Sequence, residues 1–576
     1  MAKMVTMRKG RCDSAMERPL VLNAISVFMG ALSAMLFAEN LPVGALLSAS
    51  FLCSLYLTIE RRGFLLVALF FALGVLSFWV YFGSQPGSST VLRVTGKKYY
   101  YFSGEYRGRK VIIKGDTEGL AAGDSIAAKG SFEKDALPAK GILGTYYIES
   151  YERRKPDMIS SFYGIKRDMH KSFSSRLGEE DSSVLMALCF GDTSYLTKSQ
   201  MNEFNRLGVI HAISVSGFHM AVIYGMLEKL LGAKAALALS ALYALFTGMQ
   251  AATLRAFLMI FISKMSKFAL RNYDSISSIA MAALCLLVLK PWYPGDIGFM
   301  LSFLSTLGII LYYRKFTLFF WRLPRMAGEA VSICLSAQLF SLPYIAFTLE
   351  QFSPGFILGN LFLMPFYSVL VVLGNIALLC SAAVPLLDLL CRIIGVVMSA
   401  MSGADHMLLG VCPPVTHFGY LYGVSLMLIY LSFIFYKKGH RHALYYPVFV
   451  ILFLSVSSFS FFPEIYYRKL EKGGCAFVEY RNECVMVCNY DHSSAYEIYR
   501  LKEDYGVTKV VSNVRNRTVV ELGGGLKLAV YPAAPPEEFS DMDIFAGGRN
   551  YRLDEKSVRS YEHLYVIIFN RLLHFW

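Results

Sequence analysis

The densest concentration of chemically capable side chains lies at residues 211–219, where His211, Ser214, Ser216, Gly217 and His219 interrupt an otherwise apolar stretch. Ionisable and hydroxyl groups are expensive at membrane depth, so such a set reads as a polar break that lines a cavity or touches a substrate. The competing reading has the hydroxyls bonding back to helix carbonyls and the histidines pairing with neighbouring helices. At helical spacing His219 lies near Ser216, whereas Ser214 falls ~200° round the helix from it. A serine with a histidine three residues on also raises the chemistry of a nucleophile and its base, although that spacing does not guarantee their hydrogen bond.

Gln250 and Arg255 follow in a second apolar stretch, and a guanidinium there must meet a carboxylate, carbonyls, water or a phosphate. Contact with phosphate and a structural ion pair are equally compatible with its position. Asp296 precedes an apolar run at 301–311, where its carboxylate can accept backbone N–H groups as a helix cap. Gln338, Asn360 and Asn375 punctuate later apolar segments and can bond between helices. A second cationic group, Lys97, Lys98, Arg107, Arg109 and Lys110, surrounds the aromatic run 99–102. Aromatics beside cations can stack bases next to phosphates, while alternate aromatics of the same run can equally fill a core.

The elements that must position these groups follow from composition. The 576 residues are 55% apolar and 17% charged, with a mean hydropathy of +0.45, which excludes an ordinary soluble globule. Apolar runs near 20 residues match the roughly 30 Å hydrocarbon core, and the chain reads as a polytopic membrane protein. A net charge of +14 suits anionic lipid, nucleic acid or both. Three apolar runs, 20–38, 41–59 and 64–82, follow a basic N-terminus. This arrangement fits an uncleaved anchor better than a leader peptide.

The expected organisation is three N-terminal transmembrane helices (1–83), an OB-like all-β domain (84–155), a helical connector (156–208), a helical membrane block (209–462) and a C-terminal α/β module (463–576). The β strands are expected at 91–94, 99–102, 111–114, 125–132 and 145–150. The membrane block shows ten apolar segments: 209–231, 235–249, 253–263, 275–290, 297–313, 328–349, 355–380, 383–402, 418–436 and 443–462. Segments 235–249 and 253–263 are short and read as broken or re-entrant. Arg314, Lys315, Arg322 and Arg325 fill one turn, whereas 350–354 and 403–417 hold no Lys or Arg. By the positive-inside rule the N-terminus is then cytoplasmic, with the β domain and C-terminal module on the outer face. In the C-terminal module, strands are expected at 476–480, 484–488, 507–512 and 526–531, and a helix at 494–505. The eleven cysteines form neither a disulfide framework nor a zinc spacing, so no metal or other cofactor is expected.

Five elements in order resemble the ComEC competence-protein family, the inner-membrane channel for transforming DNA. Gly191-Asp192 and then Phe204-Asn-Arg206-Leu-Gly208-Val-Ile-His211-Ala-Ile-Ser214-Val-Ser216-Gly217-Phe-His219 are similar to its core motif. Thr253-Leu-Arg255-Ala, Asp296-Ile-Gly-Phe-Met-Leu-Ser302-Phe-Leu-Ser305, Ala337-Gln338 with Leu342-Pro343, and Phe352-Ser353 with Asn360 to Pro365 resemble the others. Thr253 and Met300 stand where the family usually has proline and glutamine. The resemblance spans 84–462 and implies a multi-pass bacterial inner-membrane channel that moves single-stranded DNA inward. A cytoplasmic motor or helicase, an outer-face DNA receptor and an oligomeric assembly are the implied partners. Many family members end in a metal-hydrolase domain with an HxHxDH cluster. Here only Asp491-His492 remains, so the tail reads as a degenerate remnant without nuclease activity. No G-x-x-x-x-G-K-[ST] loop occurs, so the drive must come from elsewhere. The rival functions are an intramembrane serine hydrolase built on Ser216, and a small-molecule or lipid transporter whose β domain is only a cap.

Overall fold

The computed structural model describes residues 18–97, 101–213, 216–349, 351–413, 415–417 and 420–457, together with 462, 464–470, 473–480, 483–490, 507, 509–512, 518–522, 526–530, 541–546, 549–554, 562–568 and 571–574. Contacts divide the chain into two units, residues 1–416 and 417–576.

The first unit opens with three apolar helices, α1 (Pro19–Glu39), α2 (Leu41–Thr58) and α3 (Arg61–Phe82). Proline occupies the first turn of α1, where its missing N–H is no loss, and Asn40 caps α2 by accepting from Val43 N–H. Helices α1 and α3 touch backbone to backbone. A Cβ on Gly30 would overlap the Phe71 carbonyl and one on Gly74 the Val27 carbonyl, so the contact exists because these positions carry no side chain.

Five strands follow: β1 (Ser89–Lys97), β2 (Phe102–Tyr106), β3 (Arg109–Gly115), β4 (Ser125–Glu133) and β5 (Ile142–Arg153). They close into a barrel of order β1-β2-β3-β5-β4 in which β3 and β5 run parallel and every other pair is antiparallel. Alternate residues point inward, so Leu92, Val94, Val111, Ile113, Ile126, Tyr146 and Ile148 form its core. The second strand lies later than the aromatic run predicts. The turn Arg107-Gly108 has positive φ at both residues (48° and 76°), which fixes a two-residue hairpin pairing Tyr106 with Arg109 and so sets β2 at 102–106. Of the run, Phe102 is buried in the barrel; residues 98–100 lie outside the described residues. The barrel core is continuous with the ends of the membrane helices, since Phe78, Tyr81, Phe82, Trp292 and Tyr293 pack into the same cluster.

The expected connector is the helix α4 (Met158–Leu177), started by Asp157, whose Oδ1 accepts from Ser160 N–H at 2.9 Å. The Arg93 guanidinium of β1 forks the same carboxylate, with Nη1 donating to Oδ1 at 3.0 Å and Nη2 to Oδ2. This clasp ties barrel to helix, and Arg93 with the Ser160 N–H holds the Asp157 carboxyl well below its ordinary value of 3.8. A depressed carboxyl contributes stability that is complete above 3.8 and is lost as the pH falls from there toward the lowered value. Acidification from about pH 6 to about pH 3 is therefore expected to speed backbone hydrogen exchange, corrected for intrinsic rates, over the first turn of α4. In Asp157→Asn that exchange is expected to be fast already and to lose its pH dependence.

Helix α5 (Glu179–Phe190) is buried along 182–190, and α6 (Lys198–Arg206) follows, begun by a Thr197–Gln200 capping box. Then come α7 (Ile210–Ile213), α8 (Gly217–Leu231), α9 (Ala233–Phe246), α10 (Ala251–Phe268), α11 (Ser275–Leu289), α12 (Ile297–Phe319), α13 (Arg325–Thr348), α14 (Phe356–Leu379) and α15 (Val384–Val411). The chain turns at Gly208 (φ 69°) and, within the apolar segment 209–231, makes the single turn α7 and restarts as α8 at Gly217. At 14 residues α9 reaches only about 21 Å and joins α10 through Gly248 and Met249, both at positive φ, so the break expected there is present, whereas α10, with 18 residues, is longer than the segment expected at 253–263. Among the described residues seven helices are long and apolar enough to cross a membrane: α1, α2, α3, α12, α13, α14 and α15. The core of this block joins α4, α5, α14 and α15, and its buried cysteines Cys189 and Cys391 carry free thiols.

In the second unit, α16 (Tyr420–Lys437) and α17 (Tyr446–Ser457) precede the strands β6 (Glu464–Leu470), β7 (Gly473–Tyr480), β8 (Glu483–Tyr490), β9 (Lys509–Ser512), β10 (Thr518–Leu522), β11 (Leu526–Val530), β12 (Asp541–Ala546), β13 (Arg549–Asp554), β14 (Glu562–Ile568) and β15 (Arg571–His574). Six of them form one sheet in the order β9-β8-β7-β6-β14-β15, with β8 and β9 parallel. The helix expected at 494–505 and the Asp491-His492 pair lie outside the described residues.

Candidate functional site

The polar break expected at 211–219 is present, and its parts are set by the start of α8. Ser216 takes the N-cap position with extended backbone (φ −106°, ψ 175°), and His219 occupies the third helical position of a capping box. His219 Nδ1 accepts the Ser216 backbone N–H at 2.9 Å and stands 3.2 Å from Ser216 Oγ. With its Nδ1 lone pair engaged, the neutral ring is assigned its proton on Nε2. His219 is wholly buried, and Nε2 has no hydrogen-bond partner among the described residues. The same bond tells against a Ser216 nucleophile, because a ring nitrogen that already accepts a backbone proton is not available as the base.

Arg255 enters from the first turns of α10 and passes directly beneath Gly217. A Cβ at Gly217 would come within 2.7 Å of Arg255 Nη2, so the glycine is what admits the guanidinium. Arg255 Nε donates to Ser302 Oγ of α12 at 2.8 Å, Nη1 lies 3.6 Å from Met259 Sδ, and the Phe303 ring centroid is 6.0 Å from Cζ. Among the described residues Arg255 makes no ion pair with a carboxylate. A half-buried cation with one neutral hydroxyl and a thioether as its neighbours is an arrangement that favours an anion.

The remaining candidates divide. His211 of α7 meets the Gly208 backbone and the Asn360 side chain, and it is an electrostatic neighbour of His219. Gln250 is the N-cap of α10, five residues before Arg255. Asp296 caps α12, its Oδ1 accepting from Phe299 N–H at 2.7 Å. Gln338 accepts from Ser341 Oγ at 3.1 Å along its own helix α13. Ser214 and Lys98 lie outside the described residues.

In the barrel, the basic group is used mainly at the joint with the membrane helices. Arg109 Nη2 donates to the Val80 carbonyl at 3.0 Å and stacks on Tyr81, and Lys110 Nζ sits 3.7 Å from the Trp292 ring centroid and 3.4 Å from the Lys140 carbonyl. Lys97 and Arg107 lie over the rings of Phe102 and Tyr106 at 5.7 and 5.4 Å.

Residues that the sequence alone did not single out as site members complete the arrangement. Ser302 orients the guanidinium, and its only sequence signal is its place within the Asp296–Ser305 motif. Arg206 Nη2 donates to the Leu409 and Cys412 carbonyls at 3.0 and 3.1 Å, which fastens α6 to the C-terminal end of α15.

Residues 188–437 match the family model described as Competence protein. ComE operon protein 3 of Bacillus subtilis is 28% identical over 216 residues, covering 36% of this chain and 27% of that protein. Recombination protein 2 of Haemophilus influenzae is 23% identical over 213 residues, covering 33% of this chain and 27% of that protein. The matched segment thus spans about a quarter of the length of these relatives. No solved structure matches the chain.

Proposed function

We propose that this chain, which carries a competence-protein domain of the ComEC family over residues 188–437, conducts one strand of DNA inward across the bacterial inner membrane during transformation. The observation that carries the reading is the Arg255 guanidinium, without an ion pair among the described residues, under Gly217 at a break between helices. A nucleic-acid backbone presents one negative charge per nucleotide, and a membrane conduit for it needs donors that are not already neutralised. His211, Ser214, Ser216, Gly217, Gln250, Asp296 and Gln338 are read as the surroundings of that conduit, with Asp296 and Gln338 shaping helices rather than touching the strand.

The N-terminus is read as cytoplasmic and the barrel as an OB-like domain on the outer face. Its order, with β3 parallel to β5, supports the OB-like reading. Lys97, Lys98 and Arg107 are its candidate strand contacts. Arg109 and Lys110 drop behind them, because their nearest partners belong to the joint with the membrane helices. A cytoplasmic motor or helicase supplies the drive, a receptor delivers DNA outside, and the C-terminal module is a remnant without nuclease activity. The chain acts as a channel, not as a hydrolase, a reading supported by the engaged Nδ1 of His219.

The test is internalisation of labelled DNA in cells lacking the gene, complemented with wild type or with Arg255→Ala at matched membrane levels. The deletion is expected to bind DNA at the surface but not to internalise it. Normal internalisation in the deletion overturns the proposal.

A further inference from the structure

A cavity of about 360 Å³ lies where the barrel meets the membrane helices, lined by Leu76, Val80 and Tyr81 of α3, Arg107 and Arg109 of the β2–β3 hairpin, and Leu289 at the end of α11. Its walls are of two kinds. On one side Leu76, Val80 and Leu289 are 59, 58 and 73% exposed, and they belong to the last turns of apolar helices. On the other are two guanidiniums that make no ion pair among the described residues. The Arg109 bond to Val80 O uses one of its five donors, and the hairpin points Arg107 outward at φ 48°. The neighbouring acid, Glu105, pairs in register with Lys110 and is an electrostatic neighbour of Lys290, and it is not among the residues lining the cavity.

The depth of this cavity is fixed by its neighbours. Trp79 is 55% exposed one turn from the end of α3, the position of an interfacial aromatic, so the guanidiniums stand at headgroup level and the leucines just below it. Charge above exposed hydrocarbon is complementary to one ligand class. We infer that the cavity is a binding site for an anionic glycerophospholipid, its phosphate held by Arg107 and Arg109 and its acyl chain running down Leu76, Val80 and Leu289. A DNA strand matches the cations but has nothing to lay against three exposed aliphatic side chains, and a free phosphate leaves them unused. The lipid would fill the wedge between barrel and bilayer and fix the barrel's seat on the membrane. The site does not depend on the DNA-channel proposal.

The test uses the full chain in nanodiscs of equal phosphatidylglycerol and phosphatidylcholine, released into detergent and weighed by native mass spectrometry. One retained phosphatidylglycerol is expected. Retention should fall about tenfold in the double variant Arg107→Gln/Arg109→Gln, since each cation near a membrane surface contributes about a few-fold in affinity. It should also fall in Leu289→Asn, which leaves both guanidiniums in place and alters a residue the fold does not bury. Glycerol 3-phosphate at millimolar concentration should not displace the lipid, which separates a lipid site from a free-phosphate site. Binding of a labelled oligothymidylate should be unchanged in Leu289→Asn, which alters no candidate strand contact. Equal retention of the two lipids, retention unaffected by either variant, displacement by glycerol 3-phosphate, or loss of oligonucleotide binding in Leu289→Asn each overturn the inference.

Discussion

Cells that carry Arg255→Ala in place of the wild-type chain are expected to internalise labelled DNA about 10- to 100-fold less, with surface-bound DNA and membrane levels of the protein unchanged. The magnitude follows from the kind of contact removed. A hydrogen bond to a charged partner contributes about 1.5–3 kcal/mol, and each 1.4 kcal/mol is a factor of ten. The residue's surroundings explain why the fold should survive: in the absence of an ion pair among the described residues, the alanine strands no buried carboxylate. Arg255→Lys should recover only part of the rate. It keeps the charge but loses the Nε bond to Ser302 Oγ at 2.8 Å, and with it the fixed plane of the fork. Gly217→Ala supplies an independent arm. Its new Cβ would stand 2.7 Å from Arg255 Nη2, the end of a flexible side chain that can move, so the helix should form normally while the guanidinium is displaced. Internalisation in Gly217→Ala is expected to fall between wild type and Arg255→Ala. Wild-type internalisation by Arg255→Ala would remove the residue from the proposed conduit.

The second large effect is on stability. Gly208→Ala is expected to cost roughly 2–4 kcal/mol, the sum of a left-handed backbone for a residue with a Cβ and of overpacking against atoms that cannot yield. Gly208 has φ 69°, and a Cβ there would come within 2.6 Å of Phe356 Cα and 2.9 Å of Phe356 N, at the start of α14. The other side of the same contact is equally tight, since a Cβ on Gly359 would overlap the Leu207 carbonyl. In detergent the variant should melt at a clearly lower temperature than wild type. Gly225→Ala is the matched control: a Cβ at this glycine of α8 meets nothing within 4 Å, and the change should be neutral or slightly stabilising. Equal melting of Gly208→Ala and wild type would mean that α6 and α14 can part without cost.

What could be read from the residues depended on whether the signal was local. Helices α12 to α15 are legible because runs of apolar residues long enough to span a bilayer have few other uses. The break before α8 is legible too, since two histidines, two serines and a glycine cannot continue an apolar helix cheaply. The cap by Asp296 was read from its place before the run it starts. The position of β2 was not, because the aromatic run 99–102 has the composition of a strand, while the register is imposed by the positive-φ turn at Arg107-Gly108. Nor was the contact between Arg255 and Ser302, 47 positions apart, since no periodicity links the first turns of two different helices. Arg109 and Lys110 read as cations beside the aromatic run 99–102, whereas the rings they lie over belong to other segments. What the pattern lacked was the identity of the aromatics, Tyr81 and Trp292, brought in from helix ends on either side.

The order of strands around the barrel has a consequence for how the chain is made. Strand β5 lies between β3 and β4, so until residue 153 has been synthesised the domain is an open ribbon, β4-β1-β2-β3, with a raw edge at each end. Both edges are sealed by the same twelve-residue strand, and the Asp157 that clasps Arg93 arrives four residues later. Ring closure and attachment of the following helix are therefore a single late event in biosynthesis, and the open ribbon must be sheltered for as long as the ribosome takes to reach it.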